Sequence, residues 1–403
     1  MKKIISTFLF VFLFLSIQAQ TDHHCSFDSI FSYRKRMNPN AEAELKQFML
    51  NSVLLSNKLP QNKVSPSAKR GYAQNMTNYV IPIVVHIIHK TADASPGTGS
   101  NISNAQVNNQ ITKLNEYFKP YGIQFCLATK DAGGSTITGI TRQAHSLTNY
   151  RENLDEADLM SLDLFPRDKY LNIWVVNSIL ADNGVDRGQT GSGSFPDSRK
   201  RGVVIRARFF GDSTNCVSCN LHTQARGKTL VHEMGHLLGL LHTHEGGCQG
   251  TDISNCSKAG DFICDTPPME FLDFNCVDTN TCIETPKGND FIDPIHNYMS
   301  YKRETCLDTF TPQQVRVMYY NIETYFETNI DIDNIKATTT NWCGNVTALF
   351  KAENYLLCNP DLIRLAALDS NTTHEYDWTI YNQTNNATTK VNTGGDILLT
   401  AQF

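Results

Sequence analysis

The chain predicts an α+β fold: a mixed sheet layer with two long helices, then a loop-rich, cysteine-rich stretch and a short β-rich tail. Three observations lead there. Tyr79 to His89, YVIPIVVHIIH, is a continuous β-branched apolar run, as a strand covered on both faces requires. Val107, Ile111, Leu114 and Phe118 recur at spacings of four, three and four, which places them on one face of a helix. A second apolar segment, about 223–241, carries His232 and His236 four apart and reads as another helix.

Ahead of this core, Met1-Lys2-Lys3, the apolar run Ile4 to Leu15 and Ile17-Gln18-Ala19 form a secretory signal peptide over 1–19, too short for the ~20 residues of a membrane span. Secretion also accounts for 12 cysteines. With 35 basic against 40 acidic residues there is no electrostatic footprint for nucleic acid or anionic lipid. Residues 20–75 are polar and basic, with a helix-forming patch at 41–55 and a Pro/Ser/Lys/Arg-rich exit at 60–70, and read as a pro-segment with a cleavable linker. The catalytic domain is then 76–328. Its further strands are expected at 122–128, 170–177 and 202–210, and GQTGSGSFP at 188–196 is expected at a cleft rim or sheet edge, where an extended peptide can add by backbone hydrogen bonds. Residues 243–309 read as loops, and a helix over 311–324 starts at Thr311 with Pro312 in its first position. Residues 335–403, with alternating runs such as HEYDWTIY at 374–381, form a β-rich module too short for a complete sandwich.

The chemistry lies in HEMGHLLGLLH at 232–242. On a helix, His232 and His236 share a face and can reach one ion. A catalytic zinc needs a third protein ligand and one open position. His242 supplies that ligand if the helix stops first, and Gly239 can take the positive-φ conformation that ends it. Glu233 is then the general base that deprotonates the attacking water, and the reaction is peptide hydrolysis on protein or peptide substrates. His222, His244 and His296 lack ligand spacing and read as surface or supporting residues.

This run matches the long zinc signature of the metzincin metallopeptidases. Asn297-Tyr298-Met299-Ser300-Tyr301 resembles their methionine turn. With Asp293-Pro294-Ile295-His296 before it, Arg226 to His232 leading into the zinc helix, Gly122 to Ala128, and Gly260-Asp261 continuing to Asp265-Thr266-Pro267, residues 76–320 resemble the pappalysin family. The resemblance implies a metzincin-like catalytic domain split by a horizontal cleft. It also implies that Met299 floors the zinc site, that Tyr301 stabilises the tetrahedral intermediate, and that Asp261, Asp265 and Thr266 hold structural calcium through hard oxygen ligands. By the same resemblance Cys248 pairs with Cys282 and Cys276 with Cys306. Some pappalysins favour a basic residue after the scissile bond, which requires an acidic pocket wall following the methionine turn. Here Lys302-Arg303-Glu304-Thr305 has mixed charge, and that preference is not carried over.

Cys343 and Cys358 are expected to pair within the tail. Cys216, Cys219, Cys256 and Cys264 leave three connectivities open. Cys126, mid-strand, reads as a buried free thiol. Cys25, in the pro-segment, is either an ordinary disulfide partner or a latency switch whose thiolate fills the open zinc position, as in pappalysin-like zymogens. The competing function is a secreted binding or adhesion protein whose tail does the work, which intact His232, Glu233, His236 and His242 argue against. A zinc peptidase with a downstream glutamate ligand is disfavoured by Gly239 and His242.

Overall fold

The computed structural model describes residues 24–59, 79–162, 164–196, 202–214, 225–252, 254–284 and 290–339, together with five strands in the tail. Seven helices occur among them: α1 (Phe27–Met37), α2 (Ala41–Ser56), α3 (Asn104–Phe118), α4 (Glu156–Leu162), α5 (Lys228–Leu237), α6 (Pro312–Tyr325) and α7 (Ile332–Thr338). The first nine strands are β1 (His24–Cys25), β2 (Tyr79–His89), β3 (Ile123–Leu127), β4 (Ile140–Ala144), β5 (Asn149–Arg151), β6 (Leu171–Val176), β7 (Ser178–Leu180), β8 (Gln189–Gly193) and β9 (Gly202–Arg206).

The main sheet runs in the order β1-β8-β9-β6-β2-β3, with β4 also on β2. Strand β2 is long enough to serve two neighbours on one edge: Tyr79 to Ile83 pair with β3 and Val85 to His89 with β4. All pairings are parallel except β8 against β9. The continuous apolar reading of β2 has a direct cause, because its alternate residues feed different cores. Ile81, Ile83, Val85 and Ile87 join the main core with Val107, Ile111 and Leu114 of α3 and Leu230, Met234 and Leu237 of α5. Ile88 packs on the opposite face with Trp174, Val204, Tyr150 and Ile179, and Val84 with Ala128 and Tyr170. Both faces are covered, so no polar alternation is needed.

The helices are set by local chemistry. Ser103 caps α3, its side chain accepting from the backbone N–H of Gln106 at 3.1 Å. Thr311 and Gln314 form a full capping box on α6, with Pro312 at its first position. The expected strand over 202–210 ends at Arg206 and passes into a tight turn at Ala207–Phe209. The expected 223–241 helix is shorter: its first turn begins at Lys228 after Gly227 in the left-handed region (φ +76°), and its last helical residue is Leu237.

Residues 243–309 hold little regular structure and are tied by disulfides Cys248–Cys282, Cys256–Cys264 and Cys276–Cys306. The Cys256–Cys264 bond removes part of the ambiguity among the four unassigned cysteines; Cys216 and Cys219 lie outside the described residues, as do Cys343 and Cys358. Cys126 is a correction. It is disulfide-bonded, not a free thiol, and its partner lies outside the described residues. Its side chain sits with Val80 and Ile335, on a different face of the sheet from α3. In the tail, β10 (Phe350–Ala352), β11 (Leu362–Ala367) and β14 (Ile397–Thr400) form one antiparallel sheet, and β12 (Tyr376–Asn382) pairs with β13 (Ala387–Thr393). No helix among the described residues is long and apolar enough to cross a membrane.

The N-terminal segment, residues 24–59, is packed on the core. Strand β1 adds in parallel to the free edge of β8, and Ser26 N–H donates to Gly191 O at 2.9 Å. Helix α2 lies against α6, where Ser52 Oγ donates to Asn321 Oδ1 (3.3 Å) and Arg316 donates to the carbonyls of Ser56 and Leu59.

Candidate metal centre

Helix α5 is the scaffold of the site, and every one of its residues is buried. Its N-terminus is held by Glu304, whose Oε1 accepts from Thr229 N–H (2.7 Å) and Thr229 Oγ1 (2.6 Å) and whose Oε2 accepts from Arg226 N–H. A carboxylate is favoured there by the orphan amides and the helix dipole. The C-terminus closes as a Schellman motif: Leu240 N–H donates to Gly235 O and Gly239 N–H to His236 O, both at 2.9 Å. Gly239 has φ +94°, and a Cβ there would lie 2.1 Å from Asn321 Nδ2, so backbone freedom and space both demand glycine. Asn321 Nδ2 in turn donates to Leu238 O at 3.1 Å. The chain turns back after Gly239 and brings His242 to His232 and His236.

The three rings converge. His236 Nε2 and His242 Nε2 are 3.0 Å apart, and one ligand atom from each of His232, His236, His242 and Cys25 lies within 4.8 Å of the others. His232 Nδ1 is 2.7 Å from Tyr298 O and His236 Nδ1 is 2.8 Å from Leu240 O. A carbonyl only accepts, so both Nδ1 atoms carry the proton and both Nε2 atoms present a lone pair inward. Buried His232 Nε2 has no hydrogen-bond partner. Burial lowers the pKa of His232 to about 4 despite the Tyr298 carbonyl, and burial with the neighbouring imidazoles lowers those of His236 and His242. Neutral imidazoles with an unspent lone pair are the donor set of a catalytic zinc site, and the residues fit that ion.

Glu233 is wholly buried, and its Oε2 accepts from Gly193 N–H (2.6 Å) and from the Cys25 thiol (3.4 Å). Burial, then the Glu233 charge, pushes the Cys25 thiol up, so in the absence of a cation it stays protonated and donates. Phe27 stacks on His236 with ring centres 4.7 Å apart, so the N-terminal segment covers the site at two successive points.

Met299 lies directly under α5: a Cβ on Gly235 would come 2.3 Å from its sulfur. Tyr301 is buried with its ring 4.3 Å from that of His242, and its hydroxyl is 3.3 Å from both Cys25 O and Asp28 Oδ2. Asp261 and Thr266 are joined, Thr266 Oγ1 donating to Asp261 Oδ2 at 2.7 Å, and burial raises Asp261 to about 8. Asp265 points differently: its two oxygens accept from Thr311 Oγ1 (2.5 Å) and Gln313 N–H (2.8 Å) at the start of α6. His296 Nδ1 is 2.7 Å from Cys306 O. His222 lies outside the described residues. His244, read from its spacing as a surface or supporting residue, lies in the turn closed by Glu245 N–H donating to His242 O (3.1 Å), and its ring stacks on His242 with centres 4.8 Å apart.

Sequence reasoning missed three participants. Gly191 and Gly193 let α5 approach β8: a Cβ on Gly191 would meet the Glu233 side chain at 2.6 Å, and one on Gly193 the Glu233 carbonyl at 2.3 Å. Two glycines at i and i+2 of an edge strand were the available signal. Asp28, with Oδ1 3.2 Å from His242 Nδ1, carried none, because its partners lie far along the chain.

A buried, neutral three-histidine cluster with an adjacent carboxylate, two of its rings on a helix above a methionine-bearing turn, is the donor set a zinc-type metallopeptidase centre requires. The comparisons agree. The model of peptidase family M43, described as pregnancy-associated plasma protein-A, matches residues 155–323, the stretch that carries the histidine cluster and Met299. It is 29% identical over 251 residues to an extracellular metalloprotease of Podospora anserina (61% of this chain, 75% of that one) and 28% identical over 276 residues to one of Colletotrichum graminicola (67% and 85%). Among solved structures it resembles a mutant of Tannerella forsythia promirolysin (TM-score 0.57, 25% identity, 78% of this chain and 99% of that one). It also resembles mature mirolysin of the same organism in complex with a cleaved peptide (TM-score 0.51, 27% identity, 65% and 98%). The fold is that of a metzincin, and the protein is an extracellular metalloprotease.

Proposed function

We propose that the protein is a secreted zinc endopeptidase made as a latent precursor, with His232, His236 and His242 as zinc ligands and Glu233 as the general base. The observation that carries this reading is the convergence of three imidazoles whose Nδ1 protons are spent on backbone carbonyls or whose rings are buried beside them. Zinc bound there supplies a lowered water pKa and a polarised substrate carbonyl. The chain's own residues supply the rest. Glu233, already an acceptor for Gly193 N–H and the Cys25 thiol, takes the proton of the attacking water and hands it to the leaving amine. Once the N-terminal segment is gone, the Tyr301 hydroxyl loses its partners Cys25 O and Asp28 and is free to donate to the oxyanion of the tetrahedral intermediate. The edge of β8 vacated by β1 accepts the substrate backbone.

Latency follows from Cys25. It is the free cysteine of the described residues, it shares the histidine cluster, and it sits on a strand that fills the sheet edge a substrate needs. A cation there would favour the thiolate, and Cys25 would then stand where the attacking water is needed. Similarity to a pro-form and to a mature form with a cleaved peptide supports this order of events. Calcium at Asp261 and Thr266 would offset a buried carboxylate, while Asp265 serves the start of α6. The test is casein cleavage by the uncut precursor. Cys25→Ala should raise it well above wild type, with loss of both activities in a zinc chelator; a variant as silent as wild type, while the processed enzyme is active, refutes the switch.

A further inference from the structure

Strand β8 is poorly braced by its own composition. Its sequence QTGSG holds two glycines, Gly191 and Gly193, that the approach of Glu233 demands. Glycine in a strand adds no packing and loses more backbone freedom on ordering than any other residue. The ladder with β9 is also short. Its registered pairs run from Gly193 with Val203 to Gly191 with Ile205 and stop, because β9 ends at Arg206 and turns away over Ala207–Phe209. Gln189 and Thr190 therefore lie beyond that ladder on the inner side, while on the outer side His24 pairs with Gln189 and Cys25 with Gly191.

One side chain takes over where the ladder stops. Arg206 is 5% exposed, so its charge needs a partner. Its Nη1 donates to Asp186 Oδ1 at 3.0 Å and to Gln189 O at 3.3 Å, and its Nη2 donates to Asp186 Oδ2 at 2.8 Å. Asp186 Oδ1 also accepts from Gly188 N–H at 2.9 Å. A bidentate guanidinium–carboxylate pair fixes direction as well as distance, so one group holds residues 186, 188 and 189 on the approach to β8. Gly191 and Gly193 face Glu233. Along the strand, the braced end thus lies to one side of the proposed base, and Ser194 and Phe195 lie to the other.

We propose that Arg206, acting through Asp186 and Gln189, is a positioning residue that holds the Gln189 end of β8 in register for the substrate residues on one side of the scissile bond. The inference rests on the reading above, in which the edge of β8 receives the substrate backbone. Hydrogen bonds to an edge that is already ordered cost less to make than bonds that must order it first. Without the brace, each substrate has to order Gln189 and Thr190 itself. The loss then falls on binding of that half of the peptide and leaves the chemistry at Glu233 alone.

The test is a peptide series with one cleavable core, lengthened by alanines on its N-terminal or its C-terminal side, given to the zinc-loaded full chain after limited proteolysis in the 60–78 linker. In the wild type each extension should raise kcat/KM several-fold. In Arg206→Met the gain on one side should drop to about one, through KM, while the gain on the other stays within about twofold of wild type. Arg206→Lys, which keeps the charge but loses the bidentate fork, should fall between. Each gain is a ratio within one variant, so it is insensitive to the fraction folded. Asp186→Asn supplies a readout without turnover: amide exchange across 186–190 of the uncut chain should rise while β2 and β6 stay protected. Equal loss of both gains, two unchanged gains, or unchanged exchange in Asp186→Asn overturns the positioning role and leaves the peptidase reading intact. No gain from either extension in the wild type overturns the role together with edge binding by β8, and no zinc-dependent cleavage of any member overturns the peptidase reading itself.

Discussion

The two walls of the site are built by different physics. Above it, strands β2, β6 and β9 and helix α5 are buried at every position, and their cohesion is hydrophobic. Below it, residues 243–309 expose Phe271, Leu272, Val277, Ile283, Phe291 and Ile292 and are held by three disulfides and by side chains bonding to backbone, such as Asp293, which accepts from Thr279 Oγ1 and from Thr281 N–H and Oγ1. Helix α5 comes from the first region and Met299 from the second. The difference teaches that Met299 and Tyr301, which share the main core with α5, are the part of the lower wall that packing anchors, while the loops around them are tied covalently.

The strongest way to break this contrast is to remove one tie. Replacing Cys248 and Cys282 together by Ala opens a loop with a sequence separation of 34, which chain-entropy reasoning values at roughly 3–4 kcal/mol. Hydrogen exchange should rise across 243–309 first while the amides of β2 and β6 stay protected; simultaneous exposure of both regions would show that they do not differ in kind. The upper wall is sharpened by Gly193→Ala. The added Cβ meets the Glu233 carbonyl at 2.3 Å, a backbone atom that cannot swing aside, so a stability loss of about 1–3 kcal/mol is expected from a denaturant titration.

The smallest effect concerns how the N-terminal segment rides on the upper wall. Ser29 Oγ donates to Glu152, a carboxylate 4% exposed, and burial raises its pKa. A raised folded-state value means that the neutral form is favoured in the docked state. Its contribution is therefore fully present below the unfolded glutamate pKa of about 4.3 and is lost as pH rises through the folded value. The full chain's Tm should fall over that window, and Glu152→Gln should flatten the fall; an identical slope in the variant would remove Glu152 from the interface.

Legibility followed the same division. The upper wall was readable because burial imposes periods: the β2 run, the α3 face beginning at Ser103, and the two histidines a helical turn apart all survive as local patterns. Where packing is tertiary, the pattern fades. Cys25 meets Glu233 across 208 residues: the resemblance offers it as a switch at the site, but no local pattern near either residue gives the contact. The β8 glycines look like loop composition until α5 is placed on them. Cys126 looked like core because its neighbours are apolar, yet a disulfide partner is chosen in space. Helix α5 is shorter than its apolar pattern predicts, because the apolar character continues past the turn that Gly239 closes.

The central claim is that Glu233 acts on water at a metal held by His232, His236 and His242. Zinc content by mass spectrometry and casein turnover, measured side by side on processed wild type and Glu233→Ala, address it most directly. Zinc should remain bound in both proteins, with turnover in the variant lower by on the order of 10²- to 10⁴-fold. Full zinc occupancy with undiminished turnover in Glu233→Ala would contradict the account.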